Sequence, residues 1–228
     1  MNTGCNFNAY STLLVGGYLY QDFGTRATKK PVLQSGLTTT CSGWNVDLWN
    51  SSQLTGDGTY GRRGGGDEFD ITIWYGGKVE TALGPFTYSI GGAYYALAHN
   101  KAGLFSMPDD VGYLYGEVGR PFTVSVPWSE KAATLTPTFR LADYLYLAGG
   151  HDIMLRYGVA FIVPLPWNRF SVEGDVTAAT KITHGTSTVF RPTIFGVLDL
   201  GHGWNVLAGV ECAGQVGCAE MLKLRISF

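Results

Sequence analysis

The chain ends Met221-Leu222-Lys223-Leu224-Arg225-Ile226-Ser227-Phe228. In an extended strand successive side chains point to opposite faces, so Leu222, Leu224, Ile226 and Phe228 share one side while Met221, Lys223, Arg225 and Ser227 share the other. Earlier segments repeat the pattern. Phe69, Ile71, Ile73 and Tyr75 oppose Asp70, Thr72 and Trp74, and Phe86, Tyr88, Ile90 and Tyr94 oppose Thr87, Ser89 and Ala93. Leu155, Tyr157, Val159, Phe161 and Val163 oppose Met154, Arg156, Gly158 and Ala160. Phe170, Val172 and Val176 oppose Ser171, Glu173, Asp175 and Thr177. Each segment has one apolar and one mixed face, and no segment shows a helical repeat.

Composition says what the apolar faces meet. Of 228 residues 45% are hydrophobic and 15% charged, against about 25% charged in ordinary soluble domains. A soluble sandwich or lectin would need the missing charges, and disorder or a basic nucleic-acid surface is excluded by the same figures. Sixteen basic and eighteen acidic residues leave a net charge of −2, so electrostatic function must be local. No window reaches the ~20 apolar residues of a membrane helix; the richest, from Tyr157, stops at Pro164 and Pro166. An outer-membrane barrel reconciles these facts, because its lipid band is apolar although no single strand is. Met1 to Cys5 shows neither a basic region nor an apolar run, so an exported protein is expected here in mature form and a lipid-modified Cys5 is disfavoured.

Turns punctuate the strands in two styles. Short ones at Thr40–Gly43, Pro164–Asn168 and Gly201–Gly203 alternate with longer ones at Asp22–Lys30, Ser51–Gly66, His99–Asp110, Thr180–Thr186 and Ala213–Gly217. Short turns on the periplasmic rim and long loops outside are the asymmetry of such barrels, and both termini on one rim require an even strand count. A first count of thirteen falls to twelve when Val111–Val126 is one strand bulged near Gly119–Pro121. The expectation is an all-β chain, residues 1–228 forming one antiparallel transmembrane β-barrel of about twelve strands, with ten or fourteen as alternatives. The glycine-rich run Gly61–Gly66 lacks the strand-loop-helix setting of a phosphate cradle and reads as exposed loop.

The runs Tyr18-Leu19-Tyr20-Gln21-Asp22-Phe23-Gly24, Pro31-Val32-Leu33-Gln34-Ser35-Gly36-Leu37 and Trp44-Asn45-Val46-Asp47-Leu48-Trp49 resemble the opening of the TorF-like outer-membrane porins. In that family the first hairpin carries a tyrosine-rich strand. The stretch from Asp67 to Tyr75 and the pattern Thr134-Leu135-Thr136-Pro137-Thr138-Phe139 are similar to segments of the same group. The resemblance implies an outer-membrane barrel of the porin type, with no catalytic residues to carry over.

With the apolar faces toward lipid, the pore-lining set is Asp47, Asp70, Arg140, Arg156, Glu173, Asp175, Arg191, Asp199, Glu211, Lys223 and Arg225. These charges either line a polar pore or fill the lumen with ion pairs. Twelve strands lie between the filled eight-strand barrel and the open sixteen-strand one, and the reading favours a narrow pore. Arg191, Lys223 and Arg225 could form a basic patch, with Glu211 on the intervening strand weakening it. Trp44, Trp128, Trp167 and Trp204 sit beside turns, as interfacial anchors do.

The four cysteines lack the spacing of a zinc site, and neither metal nor cofactor is expected. Cys5 and Cys41 fall on the same rim, and Cys212 and Cys218 bracket the last loop, so two disulfides are set against free, buried cysteines. A serine hydrolase needs a histidine and an orienting acid. Of His99, His151, His184 and His202, the best dyad is His151 with Asp152, and it too begins a strand rather than lying beside an inward serine. No enzymatic activity is expected. The functional expectation is a monomeric porin of the bacterial outer membrane that contacts lipid and lets small hydrophilic solutes or ions diffuse through a mixed-charge lumen. The alternatives are a non-conducting barrel acting through its external loops and, behind it, an outer-membrane hydrolase.

Overall fold

The computed structural model describes residues 4–15, 18–20, 25–54, 68–97, 110–183, 187–214 and 217–227. Its strands are β1 (Asn6–Leu14), β2 (Tyr18–Tyr20), β3 (Thr25–Thr28), β4 (Val32–Cys41), β5 (Trp44–Gln53), β6 (Glu68–Thr81), β7 (Gly84–Leu97), β8 (Val111–Gly119), β9 (Phe122–Val124), β10 (Ala133–Tyr146), β11 (His151–Pro164), β12 (Phe170–Lys181), β13 (Ser187–Gly201), β14 (Trp204–Cys212) and β15 (Cys218–Ser227). Among the described residues β2 and β3 pair only with each other. The rest form one antiparallel sheet that closes where β10 meets β11 and where β15 meets β1, from Asn8 opposite Ser227 to Leu14 opposite Met221. With β8 and β9 as one stave, this is a closed barrel of twelve strands.

Three expectations change. Val111–Val126 is indeed one stave, but it carries no bulge. Gly119 faces Thr138 and Val124 faces Ala133, so both chains advance by the same number of residues between those pairs. The ladder lapses at Arg120 and Pro121 because proline has no N–H to donate, while the Arg120 N–H still reaches the Pro137 carbonyl at 3.0 Å. The Arg120 guanidinium spans the gap, 4.7 Å from the Phe122 ring centroid and 5.5 Å from that of Phe86. Secondly, the tyrosine-rich segment is not a barrel strand. Tyr18–Tyr20 belongs to the small sheet within the first long connection, and the first barrel hairpin is β1 with β4. The rim asymmetry is also looser than expected, since the turn at 147–150 is short and lies opposite the termini, whereas 125–132 is longer and lies with them. Of the long loops read from sequence, 55–67 and 98–109 lie outside the described residues, as does Phe228.

The tight turns follow their sequences. Ser42 and Gly43 have φ of 51° and 87°, and His202 and Gly203 have 52° and 81°. Two successive left-handed residues match the twist of a hairpin, which favours glycine at the second position.

Every stave turns an apolar face outward. Ile90, Leu114 and Leu222 are 65%, 61% and 48% exposed on a bare barrel exterior, and Leu224 and Ile194 lie on the same surface. Near the rim that carries the termini, aromatic residues gather on this surface. Trp44 packs edge-on against Tyr75 at 5.3 Å and Trp167 against Phe170 at 6.1 Å, while Trp128 donates its indole N–H to the Pro164 carbonyl at 2.8 Å. Trp204 is exposed on the same rim. Cys5 joins Cys41, tying the first strand to the first turn, and Cys212 joins Cys218 across the mouth of the last hairpin.

Replacing Leu222 by Arg is expected to destabilise bilayer-refolded protein by about 2–4 kcal/mol, read from urea unfolding followed by tryptophan fluorescence. Spin labels at 222 and 224 are expected to be reached by oxygen and shielded from aqueous quenchers. Non-reducing digestion and mass spectrometry are expected to return both linked pairs. The sequence separation of 36 for Cys5–Cys41, against 6 for Cys212–Cys218, makes Cys41→Ser the costlier loss, about 3–4 against about 2–3 kcal/mol in the chain-entropy account.

Candidate functional site

The lumen wall divides into three sectors. The first spans β7, β8, β10 and β11, where inward tyrosines of β7, β8 and β10 form an aromatic stack: Tyr113 lies 5.7 Å from Tyr95, 5.2 Å from Tyr115 and 4.8 Å from Tyr144, with interplanar angles under 20°. The stack supports a charge cluster. Arg140 donates from Nε to Glu117 at 2.7 Å and from Nη1 to the Tyr113 hydroxyl at 2.8 Å, and its guanidinium lies 4.4 Å from the Tyr115 ring centroid. Arg156 reaches the same Glu117 oxygen at 3.4 Å from two staves away. One carboxylate thus serves two guanidiniums, and this cluster is net positive.

The second sector, on β1, β4, β5 and β6, is acidic. Asp47 accepts from Thr38 at 2.5 Å and from the Tyr10 hydroxyl at 3.4 Å. The Tyr10 ring can lie flat along the wall because its partner in register is Gly36, where a Cβ would fall 2.3 Å from the ring. Asp70 is buried on β6, facing the same space.

Across β12 to β15 the signs are mixed. Arg225 grips Glu173 with both guanidinium nitrogens, at 3.2 and 3.4 Å, a fork-to-fork pair that skips the two intervening staves. Lys223 sits 4.7 Å above the Tyr10 ring. Glu211 lies within electrostatic reach of Arg191, Asp175 and Lys223. The basic patch of Arg191, Lys223 and Arg225 therefore does not exist as a bare surface: Arg225 is spent on Glu173, and Lys223 faces an aromatic ring. Asp199 has the inward parity but sits at the rim, where its carboxylate accepts the Gly201 N–H at 2.8 Å and fixes the turn.

Sequence reasoning left Glu117, Glu68, Asp152 and Lys181 out of the pore-lining set. Val111, Tyr113, Tyr115 and Glu117 face inward while Leu114 and Val118 face out, so both faces of β8 are apolar in composition and the alternation offers no polar side to choose. The tyrosines were the available signal, since their hydroxyls suit a polar interior. Asp152 accepts from Lys181 at 2.7 Å, Tyr146 at 2.8 Å and Thr183 at 2.9 Å inside the barrel. That disposes of a His151–Asp152 dyad, because neighbours on a strand point to opposite faces; His151 instead meets Asp143 at 2.9 Å on the outer face. Of the other histidines, His99 and His184 lie outside the described residues, and His202 occupies a turn.

The lumen tapers. Toward the rim away from the termini its side chains are packed, with Leu14, Val32, Gln34, Tyr144, Asp152 and Arg191 all buried. Toward the terminal rim it opens into a recess of about 310 Å³, lined by Thr134, Thr136, Ala160, Ile162, Glu173 and Asp175.

No family model and no curated protein sequence matches this chain. Among solved structures it is similar to KdgM porin, with a TM-score of 0.59 at 9% identity over 98% of this chain and 99% of the other. The chain has a porin-like barrel fold. The β domain of the Bordetella autotransporter BrkA (TM-score 0.48, 12% identity, 99% of both chains) and the translocator domain of autotransporter NalP from Neisseria meningitidis (0.45, 12%, 100% and 89%) add no argument at that level of similarity. The TorF-like resemblance thus extends to the fold, and no family assignment follows from it.

Removing the acid that serves two guanidiniums is expected to cost more than removing either base. Glu117→Ala should lower unfolding stability by about 2 kcal/mol, with Arg156→Ala costing less, in urea titrations of the refolded barrel.

Proposed function

We propose that this chain is a narrow channel of the bacterial outer membrane through which small hydrophilic solutes or ions diffuse passively. The observation that carries the reading is the state of the lumen charges. Arg140, Arg156, Glu117, Glu173 and Arg225 are paired, yet each retains about a fifth to a third of its side-chain surface in contact with solvent. Ion pairs sealed in a dry core lose more in desolvation than they recover, whereas water in the lumen removes most of that loss. An interior built only for packing gains nothing from such a wall. The apolar exterior and its aromatic rim suit a lipid bilayer and its interface, and a closed sheet leaves no edge to recruit a second copy, which supports a monomer. The mixed charge of the wall supports weak ion selectivity, and the Asp143–His151 pair, turned to the outer face, gives hydrolase chemistry no support.

The packing of inward side chains away from the termini favours a second reading, a barrel that does not conduct and acts through its external connections. Conductance separates the two. Refolded protein in planar bilayers is expected to show single channels of small conductance. Substituting Lys223 and Arg225 together by Glu is expected to shift the reversal potential in a salt gradient toward cation preference, with the shift shrinking as ionic strength screens the lumen. A folded, heat-modifiable barrel with no conductance would overturn the channel reading, and an unchanged reversal potential would remove these two residues from the ion path.

A further inference from the structure

The acidic sector holds more oxygen than its hydrogen bonds use. Ser51 on β5 stands directly opposite Gln34 on β4 and Glu68 on β6, so these three inward side chains form one row across three staves. Asp70 follows Glu68 on the same face, and the two carboxyl groups are hydrogen-bonded to each other. All four residues are more than nine-tenths buried. Ser51 Oγ and one Asp70 oxygen, Oδ1, find no hydrogen-bond partner among the described residues. A buried hydroxyl without a partner costs about 1–3 kcal/mol, and nothing in the local packing forces a serine at that position, since its register neighbours are both polar.

We propose that Ser51, Glu68 and Asp70, with the side-chain oxygen of Gln34, form a binding site for a divalent hard cation of the calcium class in the lumen wall. Two carboxylates balance a double charge. In the ion's absence a proton must hold the two carboxyl groups together, and a cation replaces that proton. The donors are all oxygens, two charged and two neutral, a set that suits calcium, which accepts many ligands in flexible geometry. Softer metals are disfavoured because none of these donors is a sulfur or an imidazole nitrogen. Strands supply the rigidity: the row is set by the β4–β5–β6 ladder rather than by a loop. The site is independent of conduction and would serve a filled barrel equally well by joining three staves.

The test is calcium chloride titrated into the refolded full chain in detergent, followed by calorimetry and by the unfolding temperature. Saturable binding of about one ion per chain is expected, weakening as pH falls because protons compete for the carboxyl pair. Asp70→Asn is expected to weaken binding at least tenfold and Ser51→Ala severalfold, while Asp143→Asn, on the outer face, leaves it unchanged. Heat-modifiability on gels identifies variants that fold. The absence of saturable binding by the unaltered chain would overturn the proposal, whatever the variants do. So would binding to folded Ser51→Ala and Asp70→Asn at the original affinity, or equal weakening by Asp143→Asn.

Discussion

Everything in this molecule depends on the sheet having no edge. β1 reaches β15 along seven consecutive residue pairs and β4 along nine, so the first strand of the chain is the stave that seals the last to the second. In hydrocarbon an unpaired backbone N–H or C=O costs several kcal/mol, and only closure satisfies all of them at once. The Cys5–Cys41 bridge lies where this seal begins. Closure also converts the strand period of two into an inside and an outside for every stave together, which is why one row of apolar residues can face lipid all around.

Within that shell the lumen is organised by what each polar group can reach. Pairs that skip staves, Arg156 to Glu117 and Arg225 to Glu173, are possible only because the wall is curved; on a flat sheet those side chains would stand parallel. The tyrosine stack gives Arg140 both a hydroxyl and a ring face, so the guanidinium is held by three kinds of contact while still touching water. The acidic sector is built differently, around a glycine that lets Tyr10 lie against the wall and a row of small polar residues beside two carboxyl groups. Placing a net-positive cluster, an acidic sector and a mixed sector around the ring avoids a uniform field and produces local sites instead.

The tapering of the lumen follows from side-chain size along each stave. Threonine, alanine and glycine dominate the inward positions of β10 and β11 toward the terminal rim, where the recess opens, whereas tyrosine, methionine and paired charges fill the other half. The same asymmetry makes a narrow pore and a filled barrel differ by a few side chains rather than by architecture.

What the sequence alone determined is the alternation. The carboxyl-terminal run with Lys223 and Arg225 between Leu222, Leu224 and Ile226, and the similar runs around Asp70, Arg156 and Glu173, specify which side chains share a face, because that follows from local backbone geometry. The even strand count and the merging of Val111–Val126 into one stave follow from the same local pattern plus the rule that the termini share a rim. Only the tertiary structure decided the rest. Whether Pro121 interrupts a ladder or bulges it depends on the partner strand's register, which no segment carries by itself, and the exclusion of Tyr18–Tyr20 from the barrel depends on which strands compete for β1. The face of β8 was undecidable locally because both of its sides are apolar. Which acid meets which base was undecidable too, since Arg225 and Glu173 are separated by 52 residues and come within reach only when the closed wall bends them toward a common centre.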